Sequence, residues 1–193
     1  KVIPNYVDTN IFSAIKIKKK KFKNFVTISR LTNQKNLEYL FKEIARGKFK
    51  LDIIGSKKNL DSYKNLAKKL NANVNFVGPI KNNKLMNFYK KKDLFILLSR
   101  YEGNPKSLLE AMSCRMIVLA SNVRGIKNII QDNRNGFLIN FKNGELVKKV
   151  NYLSQKKQLE KIRDNARKYI MDNHSLEKIS LLEKKIYYQV KKL

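Results

Sequence analysis

The chain has 193 residues and a formal net charge of +28 at pH 7, with 43 Lys and Arg against 15 Asp and Glu. Its apolar content of 42% is enough for a packed core and too high for an intrinsically disordered chain. The single Cys114 excludes an internal disulfide, and the single His174 leaves no second histidine for a histidine-based metal cluster or catalytic dyad. One unpaired cysteine fits a reducing compartment, so we expect a cytoplasmic location.

The excess of positive charge admits three explanations. Codon bias in an AT-rich genome favours Lys, Asn and Ile, but it does not deplete Asp and Glu. A positive field of this size also attracts anionic membrane surfaces, lipid-linked phosphates and, less in this case, nucleic acids. The lysine run over residues 16–23 is therefore either a solvated loop or a segment that attaches the chain peripherally to the inner face of a membrane.

Apolar periodicity and turn residues divide the chain into alternating strands and helices. After a loop over residues 1–12, the pattern predicts these elements: a strand at 25–29, a helix at 37–46, a strand at 49–54, a helix at 61–70, a strand at 74–77, a helix at 83–91, a strand at 94–98, a helix at 106–114, a strand at 116–120, a helix at 126–131, a strand at 136–139, and helices at 144–154, 158–171 and 176–192. This alternation predicts an α/β fold: a Rossmann-like three-layer sandwich with a mostly parallel sheet of about six strands, followed by C-terminal helices. We expect one domain over residues 1–193, with 175–193 as a terminal helix.

The segment at 99–122 carries the clearest chemistry. It lies between two buried strands, and in open α/β sheets ligands bind at the carboxyl ends of strands. Glu102 precedes a polar turn, and Glu110 lies a little over one turn into the helix that follows. Gly103 lets a ligand approach the backbone closely, and the unpaired N–H groups of the helix start suit a phosphate. The segment therefore offers donors for phosphate and carboxylate acceptors for hydroxyls, which a sugar nucleotide requires.

The sequence EGNPKSLLEAM, in which seven residues separate Glu102 from Glu110, resembles the E-x7-E motif of family-4 retaining glycosyltransferases of GT-B architecture. The segment NGFL at 135–138 strengthens the resemblance. Further similarities are IPNYVD at 3–8, where the family has I-x-N-G-V-D, RLTNQKN at 30–36, where it has R-L-x3-K-N, IIG at 53–55, and VNFVG at 74–78.

This resemblance implies a nucleotide-sugar donor site, with UDP as the expected nucleotide and with no metal or other cofactor. Glu110 would accept hydrogen bonds from the ribose hydroxyls, and Glu102 would bind a hydroxyl of the donor sugar. Arg30 and Lys35 would neutralise the departing diphosphate. Lys106 would either reach the diphosphate or face solvent. The other implied donor-binding residues are Gly103, Asn104, Pro105, Ser107 and Leu108 along the sugar and diphosphate, and Val77 and Gly78 at the base.

The segment at 3–8 resembles the one that follows the linker between the two GT-B domains. We therefore expect the chain to be the donor-binding half of a longer enzyme, inactive alone, with an N-terminal acceptor domain as its partner. An ordinary N-terminal loop is the alternative for this segment. The implied activity is transfer of a sugar, with retention, to a surface-polysaccharide or lipid-linked acceptor.

Two other functions remain open from the sequence. A basic module that binds nucleic acid or membranes without transferase activity would explain the charge, but not Glu102 and Glu110, which repel phosphates. A nucleotide-sugar epimerase of GT-B architecture would use the same kind of site.

The chain departs from the family pattern at four supporting positions. Tyr6, Arg115 and Ile117 stand where Gly, Gly and Pro are usual, and Asn128 stands where Glu is frequent. A glycine at 115 would suit a left-handed helix cap, and a residue with a side chain in that conformation costs about 1 kcal/mol.

Overall fold

The apolar run at 94–98 forms the centre of the sheet, and both of its faces are covered. Phe95 and Leu97 pack into one core cluster, whereas Leu94, Ile96 and Leu98 pack into the other. Because successive side chains of a strand point to opposite faces, an unbroken apolar run indicates helices on both sides of the sheet.

The computed structural model describes residues 2–16, 22–56 and 58–190. The strands are β1 (Asn24–Ile28), β2 (Lys50–Ile54), β3 (Val74–Gly78), β4 (Leu94–Leu97), β5 (Val118–Ser121) and β6 (Phe137–Ile139). The α-helices are α1 (Leu37–Arg46), α2 (Leu60–Lys69), α3 (Asn82–Tyr89), α4 (Lys106–Ser113), α5 (Arg124–Lys127), α6 (Glu145–Gln155), α7 (Leu159–Asn173) and α8 (Leu176–Val190).

The six described strands form one sheet in the order β3-β2-β1-β4-β5-β6, and all five neighbouring pairs are parallel. Phe25 of β1 pairs with Leu51 of β2 on one side and with Leu94 of β4 on the other. The α/β, Rossmann-like prediction is therefore confirmed. The order reverses between β1 and β4, so the loops that follow these two strands flank the crevice where such sheets bind ligands.

Two core clusters fill the space between the sheet and its helices. One side is covered by α1, α2 and α6, and the other by α3, α4 and α5, while α7 contributes side chains to both. Buried side chains on the first side include Leu40, Ile44 and Val150; those on the second include Leu85, Leu109 and Ile170. Cys114 is buried among the latter, as a small apolar residue.

Two buried carboxylates stabilise the connections, and the sequence alone does not single them out. The Asp93 carboxylate accepts the backbone N–H groups of Lys23 and Asn24 at 3.0 and 2.8 Å, which fastens the start of β1 to the start of β4. The Glu43 carboxylate accepts the backbone N–H groups of Gly144 and Leu146 at 2.8 and 3.1 Å, which joins α1 to the start of α6. Both bonds to Glu43 satisfy N–H groups that a helix start leaves without intrahelical partners.

The N-terminal segment packs against the junction of α7 and α8. Val7 donates its N–H to the His174 carbonyl at 2.8 Å and accepts the N–H of Leu176 at 3.0 Å. The Ser175 hydroxyl accepts the N–H of Lys178 at 3.4 Å and so caps the start of α8. His174 caps the C-terminus of α7 and is buried.

Some predictions need correction, and others lie outside the described residues. The helix expected at 126–131 is the shorter α5, which ends at Lys127. Phe22, part of the lysine run, is buried in the core, while residues 17–21 of that run lie outside the described residues. On α8, Ile179 is buried. Over the described ranges, we find no helix with the length and apolar character that crossing a membrane requires.

Arg115 adopts the left-handed conformation that its position predicted, with φ of 63°. Its guanidinium lies 2.5 Å from the Asp164 carboxylate and 3.2 Å from that of Glu160, both in the first two turns of α7. The acidic partners are largely exposed, so these ion pairs contribute about 0–1 kcal/mol, which is similar to the backbone cost.

We expect Arg115→Gly to be more stable than Arg115→Ala by about 1 kcal/mol, because both variants lose the ion pairs but only glycine relieves the backbone strain. Urea unfolding of the two variants measures the difference. Equal stabilities would show that residue 115 carries no strain.

Candidate functional site

The candidate site lies where the loops after β1 and β4 meet. The N–H of Arg100 donates to the Gln34 carbonyl at 2.8 Å, and the Gln34 side-chain amide donates to the Tyr101 carbonyl at 3.0 Å. These bonds join segments far apart in sequence into one wall of the crevice.

Glu102 and Lys35 form an ion pair across this junction. Lys35 Nζ lies 2.6 Å from Glu102 Oε1, and the two side chains are only 12% and 9% exposed. The Ser99 hydroxyl donates to the same oxygen at 2.6 Å. The Ser121 hydroxyl, at the end of β5, donates to the Ser99 carbonyl at 2.6 Å. Both of these contacts use Oε1 and fix the orientation of the carboxylate. Within the part of the chain that the structure describes, Oε2 has no side-chain donor and can accept a ligand hydroxyl.

Glu110 is a buried carboxylate in the second turn of α4, with 5% of its surface exposed. Burial raises the pKa of its carboxyl from 4.5 to about 7, and Lys106, one turn earlier, opposes that rise. Within residues 2–16, 22–56 and 58–190, we find no side chain that donates a hydrogen bond to it. A carboxylate in this state gains most from a ligand that brings hydroxyl donors, because those donors replace lost hydration.

Two glycines shape the loop between β4 and α4. A Cβ placed on Gly103 would have no atom within 4 Å, so this backbone is open to a ligand. A Cβ on Gly125 of α5 would lie 2.0 Å from the Glu102 carbonyl oxygen and 2.2 Å from that of Gly103. Only glycine therefore lets α5 pack directly against the backbone of residues 102 and 103, a role that the sequence analysis missed. The sequence signal for this role is a glycine shortly after a strand, but glycines after strands also occur in ordinary turns.

The N-terminal segment also reaches the site, which the sequence did not indicate. The Asn5 side-chain amide donates to the Asn104 carbonyl at 2.5 Å. Lys106 is exposed at the start of α4, and its Nζ lies 5.2 Å from the centre of the Tyr6 ring, within reach of a cation–π interaction. Tyr6, which stands where the family has glycine, thus lies at the rim of the crevice, and the Lys106 ammonium lies over its ring.

The base-binding positions implied by the resemblance lie at the far end of the same edge. Val77 and Gly78 end β3, and the Gly78 carbonyl accepts the N–H of Gly55 at 3.1 Å. A Cβ on Gly55 would lie 2.1 Å from the Ser29 carbonyl oxygen, so a glycine is required where β1 and β2 end side by side. Arg30 is exposed just after Ser29. The crevice therefore runs from β3 across β2 and β1 to Glu102 beyond β4.

The remaining predicted residues line the start of α4. Pro105 is its N-cap, Ser107 is partly buried, and Leu108 is buried in the core, so only the backbone of Leu108 can face a ligand. Of the other departures, Ile117 is buried in the core and Asn128 is exposed. Among the described residues, there is no group of three or more His, Cys, Asp or Glu placed to hold a metal ion.

Sequence comparison gives a match over residues 8–169 to the family described as glycosyl transferases group 1. The chain belongs to this family. The prediction of a C-terminal domain of a glycosyltransferase of GT-B architecture is confirmed, whereas its assignment to family 4, its donor, its acceptor and the retention of configuration stay predictions.

Two glycosyltransferase relatives and one solved structure are among the proteins that this chain resembles. An uncharacterised glycosyltransferase of Haemophilus influenzae is 28% identical over 173 residues, covering 85% of this chain and 48% of the relative. An O-antigen biosynthesis glycosyltransferase of Escherichia coli is 34% identical over 107 residues, covering 55% of this chain and 30% of the relative. The Anabaena protein HepE, solved in complex with UDP and glucose, is 21% identical and shares the fold with a TM-score of 0.80, covering 100% of this chain and 57% of that one. The chain thus spans about half the length of the first of these relatives.

The Lys35–Glu102 ion pair should couple the two loops energetically. In a double-mutant cycle with Lys35→Met and Glu102→Gln, we expect a coupling energy of about 1–3 kcal/mol in urea unfolding, because both groups are largely buried. The matched control is the exposed pair of Lys42 and Glu38, also 2.6 Å apart, for which we expect about 0.2–0.5 kcal/mol. Equal coupling in the two pairs would contradict this role.

The raised pKa of Glu110 predicts that the free energy of unfolding falls as the pH rises. The folded protein holds this proton more tightly than the unfolded chain, so stability due to this group is highest below pH 4.5 and is lost as pH rises towards about 7. Relative to Glu110→Gln, the unmodified chain should lose about 2–4 kcal/mol over this interval. Urea unfolding of both proteins at several pH values tests this, and parallel pH profiles would contradict it.

Proposed function

We propose that this chain is the donor-binding half of a glycosyltransferase that takes a sugar from a UDP-sugar. The observation that carries the proposal is the buried Glu110 carboxylate, to which no side chain of the described residues donates, on the helix that follows the oriented Glu102 and the open backbone at Gly103. This combination suits a ligand that brings paired hydroxyls and phosphates together, which is the chemistry of a nucleotide sugar.

Glu110 would accept hydrogen bonds from the two ribose hydroxyls. Such bonds to a charged acceptor are stronger than neutral ones, and they would offset the desolvation of the carboxylate. Glu102, held through Oε1, would use Oε2 to bind a hydroxyl of the donor sugar. The backbone over residues 103–108 would lie along the sugar and the diphosphate.

The diphosphate would meet the start of α4 and the loop after β1. Negative charge grows on the diphosphate as the bond from the sugar C1 to its oxygen breaks. Positive groups fixed in place beforehand lower that barrier. Arg30, exposed at the crevice, can bind phosphate through a bidentate pair of hydrogen bonds. Lys35 contributes the single positive charge of its ammonium next to Glu102.

In the reaction that we propose, an acceptor hydroxyl oxygen forms the new bond to C1. The diphosphate leaves with the electron pair of the broken bond and takes the acceptor proton. Retention of the anomeric configuration follows from the resemblance to family-4 enzymes. The chain's own residues would position the donor and stabilise the leaving group, without a step that calls for a metal ion.

The expected nucleotide and acceptor rest on similarity. UDP is bound in the HepE structure, whose fold this chain shares. A surface polysaccharide or a lipid-linked glycan is the acceptor that we propose, in line with the relative from O-antigen biosynthesis. Acceptor recognition would come mainly from a partner N-terminal domain, and no nucleic acid takes part.

The proposal is tested by calorimetric titration of this chain with UDP, GDP and ADP, and with a short DNA duplex, at about 0.15 M salt. We expect saturable binding of UDP in preference to the other two nucleotides. Glu110→Ala should weaken it by about 1–3 kcal/mol through lost hydrogen bonds to a charged group. Glu183→Ala, which changes an exposed carboxylate on α8, is the matched control and should have no effect.

Two results would count against the proposal. Unchanged UDP affinity in a folded Glu110→Ala variant would remove the ribose role. Tight duplex binding without any nucleotide preference would favour a basic nucleic-acid module instead. We also expect this chain alone to transfer no sugar, because the acceptor side would be missing.

A further inference from the structure

A polar cavity of about 310 Å³ lies on the side of the sheet that α1 and α2 cover. Its apolar lining belongs to the core cluster on that side, whereas the rest of its lining is amide, hydroxyl and charged groups. A space of this size is enough for a small ligand. We call it the helix-start cavity; its described lining residues are Asn33, Asn36, Leu37, Glu38, Asn59, Ser62, Tyr63, Leu66 and Arg100. None of these residues is among those assigned to the donor site.

The short 3-10 turn Asn33–Lys35 separates this cavity from the donor crevice. Lys35, at the end of the turn, pairs with Glu102 in the crevice, whereas Asn33, at its start, lines the cavity. Glu110 lies on α4, which covers the other side of the sheet. The cavity and the donor crevice are therefore neighbouring but distinct spaces.

Two helix starts meet at this cavity. Leu37 and Glu38 begin α1, and Ser62 lies in the first turn of α2. The N-cap residues Asn36 and Asn59 have left-handed backbones, with φ of 50° and 64°, and neither side chain caps its helix. The N–H groups of a first turn have no intrahelical acceptor, so in the described chain they are open to a ligand. Both helix dipoles favour negative charge at this position.

The side chain of Asn36 also points to a ligand. It is only 6% exposed and lines the cavity. Over residues 2–16, 22–56 and 58–190, we find no hydrogen bond to its amide group. A buried amide without a partner is unfavourable, and a ligand that supplies partners removes that penalty. The amide offers two N–H donors and one carbonyl acceptor.

Arg100 supplies positive charge to the cavity. Its backbone N–H donates to the Gln34 carbonyl at 2.8 Å, which fixes the residue beside the 3-10 turn. The hydrogen bond and the charge of Lys42 lower the pKa of the Glu38 carboxyl, and the Arg100 charge lowers it further. Glu38 itself pairs with Lys42, and Asp61, the other carboxylate of these helix starts, is exposed. Among the described residues no carboxylate forms an ion pair with Arg100, so its guanidinium can bind an oxyanion through two parallel hydrogen bonds.

We propose that the helix-start cavity binds a small phosphate ester that carries hydroxyl groups. The phosphate contacts the Arg100 guanidinium and the free N–H groups at the starts of α1 and α2, where the helix dipoles favour an anion. The hydroxyls of the ester bond to the side-chain amides of Asn33 and Asn36. The cavity is larger than a single phosphate ion, so it has room for the ester part of the molecule.

The test is calorimetric titration of the chain with glycerol 3-phosphate, inorganic phosphate and glycerol, in a buffer without phosphate or sulfate. We expect glycerol 3-phosphate to bind more tightly than inorganic phosphate, and glycerol not to bind. Arg100→Gln and Asn36→Asp should each weaken binding of glycerol 3-phosphate at least about tenfold, because each removes hydrogen-bond donors to a charged ligand. Asn36→Asp keeps the shape of the side chain and a residue type that tolerates the left-handed backbone, so it guards against misfolding.

The matched controls are Arg134→Gln and Asn71→Asp, which make the same changes of charge elsewhere. Arg134 is exposed, and Asn71 is exposed just after the C-terminal end of α2, with the same φ of 50° as Asn36. Both controls should leave the affinity unchanged. Equal losses in the control and cavity variants would overturn the proposal in favour of diffuse charge, and so would unchanged binding in both cavity variants. Glycerol 3-phosphate that binds no more tightly than inorganic phosphate would overturn the role of the hydroxyls.

A phosphate ester could also enter the donor crevice, and a second titration separates the two spaces. Glycerol 3-phosphate is titrated again in the presence of excess UDP, and we expect its affinity to be the same because the cavity and the crevice are distinct. Complete competition by UDP would overturn the proposal by assigning the phosphate to the donor crevice. The comparison of cavity and control variants does not require UDP to bind, so failure of the donor-site proposal and failure of this one are distinguishable.

Discussion

The contact between Lys35 and Glu102 holds the candidate site together. Its two residues follow β1 and β4, strands that are neighbours in the sheet although β2 and β3 lie between them in sequence. A largely buried ion pair is stabilising only when its geometry is good and its remaining bonds are satisfied. Here the Ser99 hydroxyl completes the arrangement, and Ser121 extends it to β5. The pair thus fixes both the loop that would meet a diphosphate and the carboxylate that would meet a sugar.

Glu110 shows the opposite condition, a carboxylate that the described protein leaves without a donor. Its burial is unfavourable to the charged form, and Lys106 compensates only in part. A residue of this kind lowers the stability of the empty protein and gains hydrogen bonds when a ligand with hydroxyls arrives. The two glutamates of the E-x7-E segment therefore differ in physical state. Glu102 is oriented by protein contacts, whereas Glu110 is buried and has no described side-chain donor. Tyr6 and Asn5 add a rim, contributed by the N-terminal segment, that ties the site loop to the start of α8 through Val7.

The parallel sheet also brings the parts of the candidate site to one edge. Its carboxyl edge carries Glu102, the open backbone at Gly103 and the start of α4, the helix that holds Glu110. This placement follows from one topological fact, since all five described strand pairs are parallel.

The sequence by itself determined the class of fold and the central motif. Apolar runs such as 94–98, separated by polar turns and amphipathic helices, are local patterns, and they fix strands, helices and a parallel sheet. The spacing of Glu102 and Glu110, and the glycine cap position at Arg115, are also readable because they depend on neighbouring residues. The tertiary structure decided what depends on distant ones: the Lys35–Glu102 pair, the Gly125 support, the Tyr6 rim, and the burial of Glu43, Asp93 and Phe22. Burial and partnership are set by which segments pack together, and a linear pattern does not state which loop will lie against which.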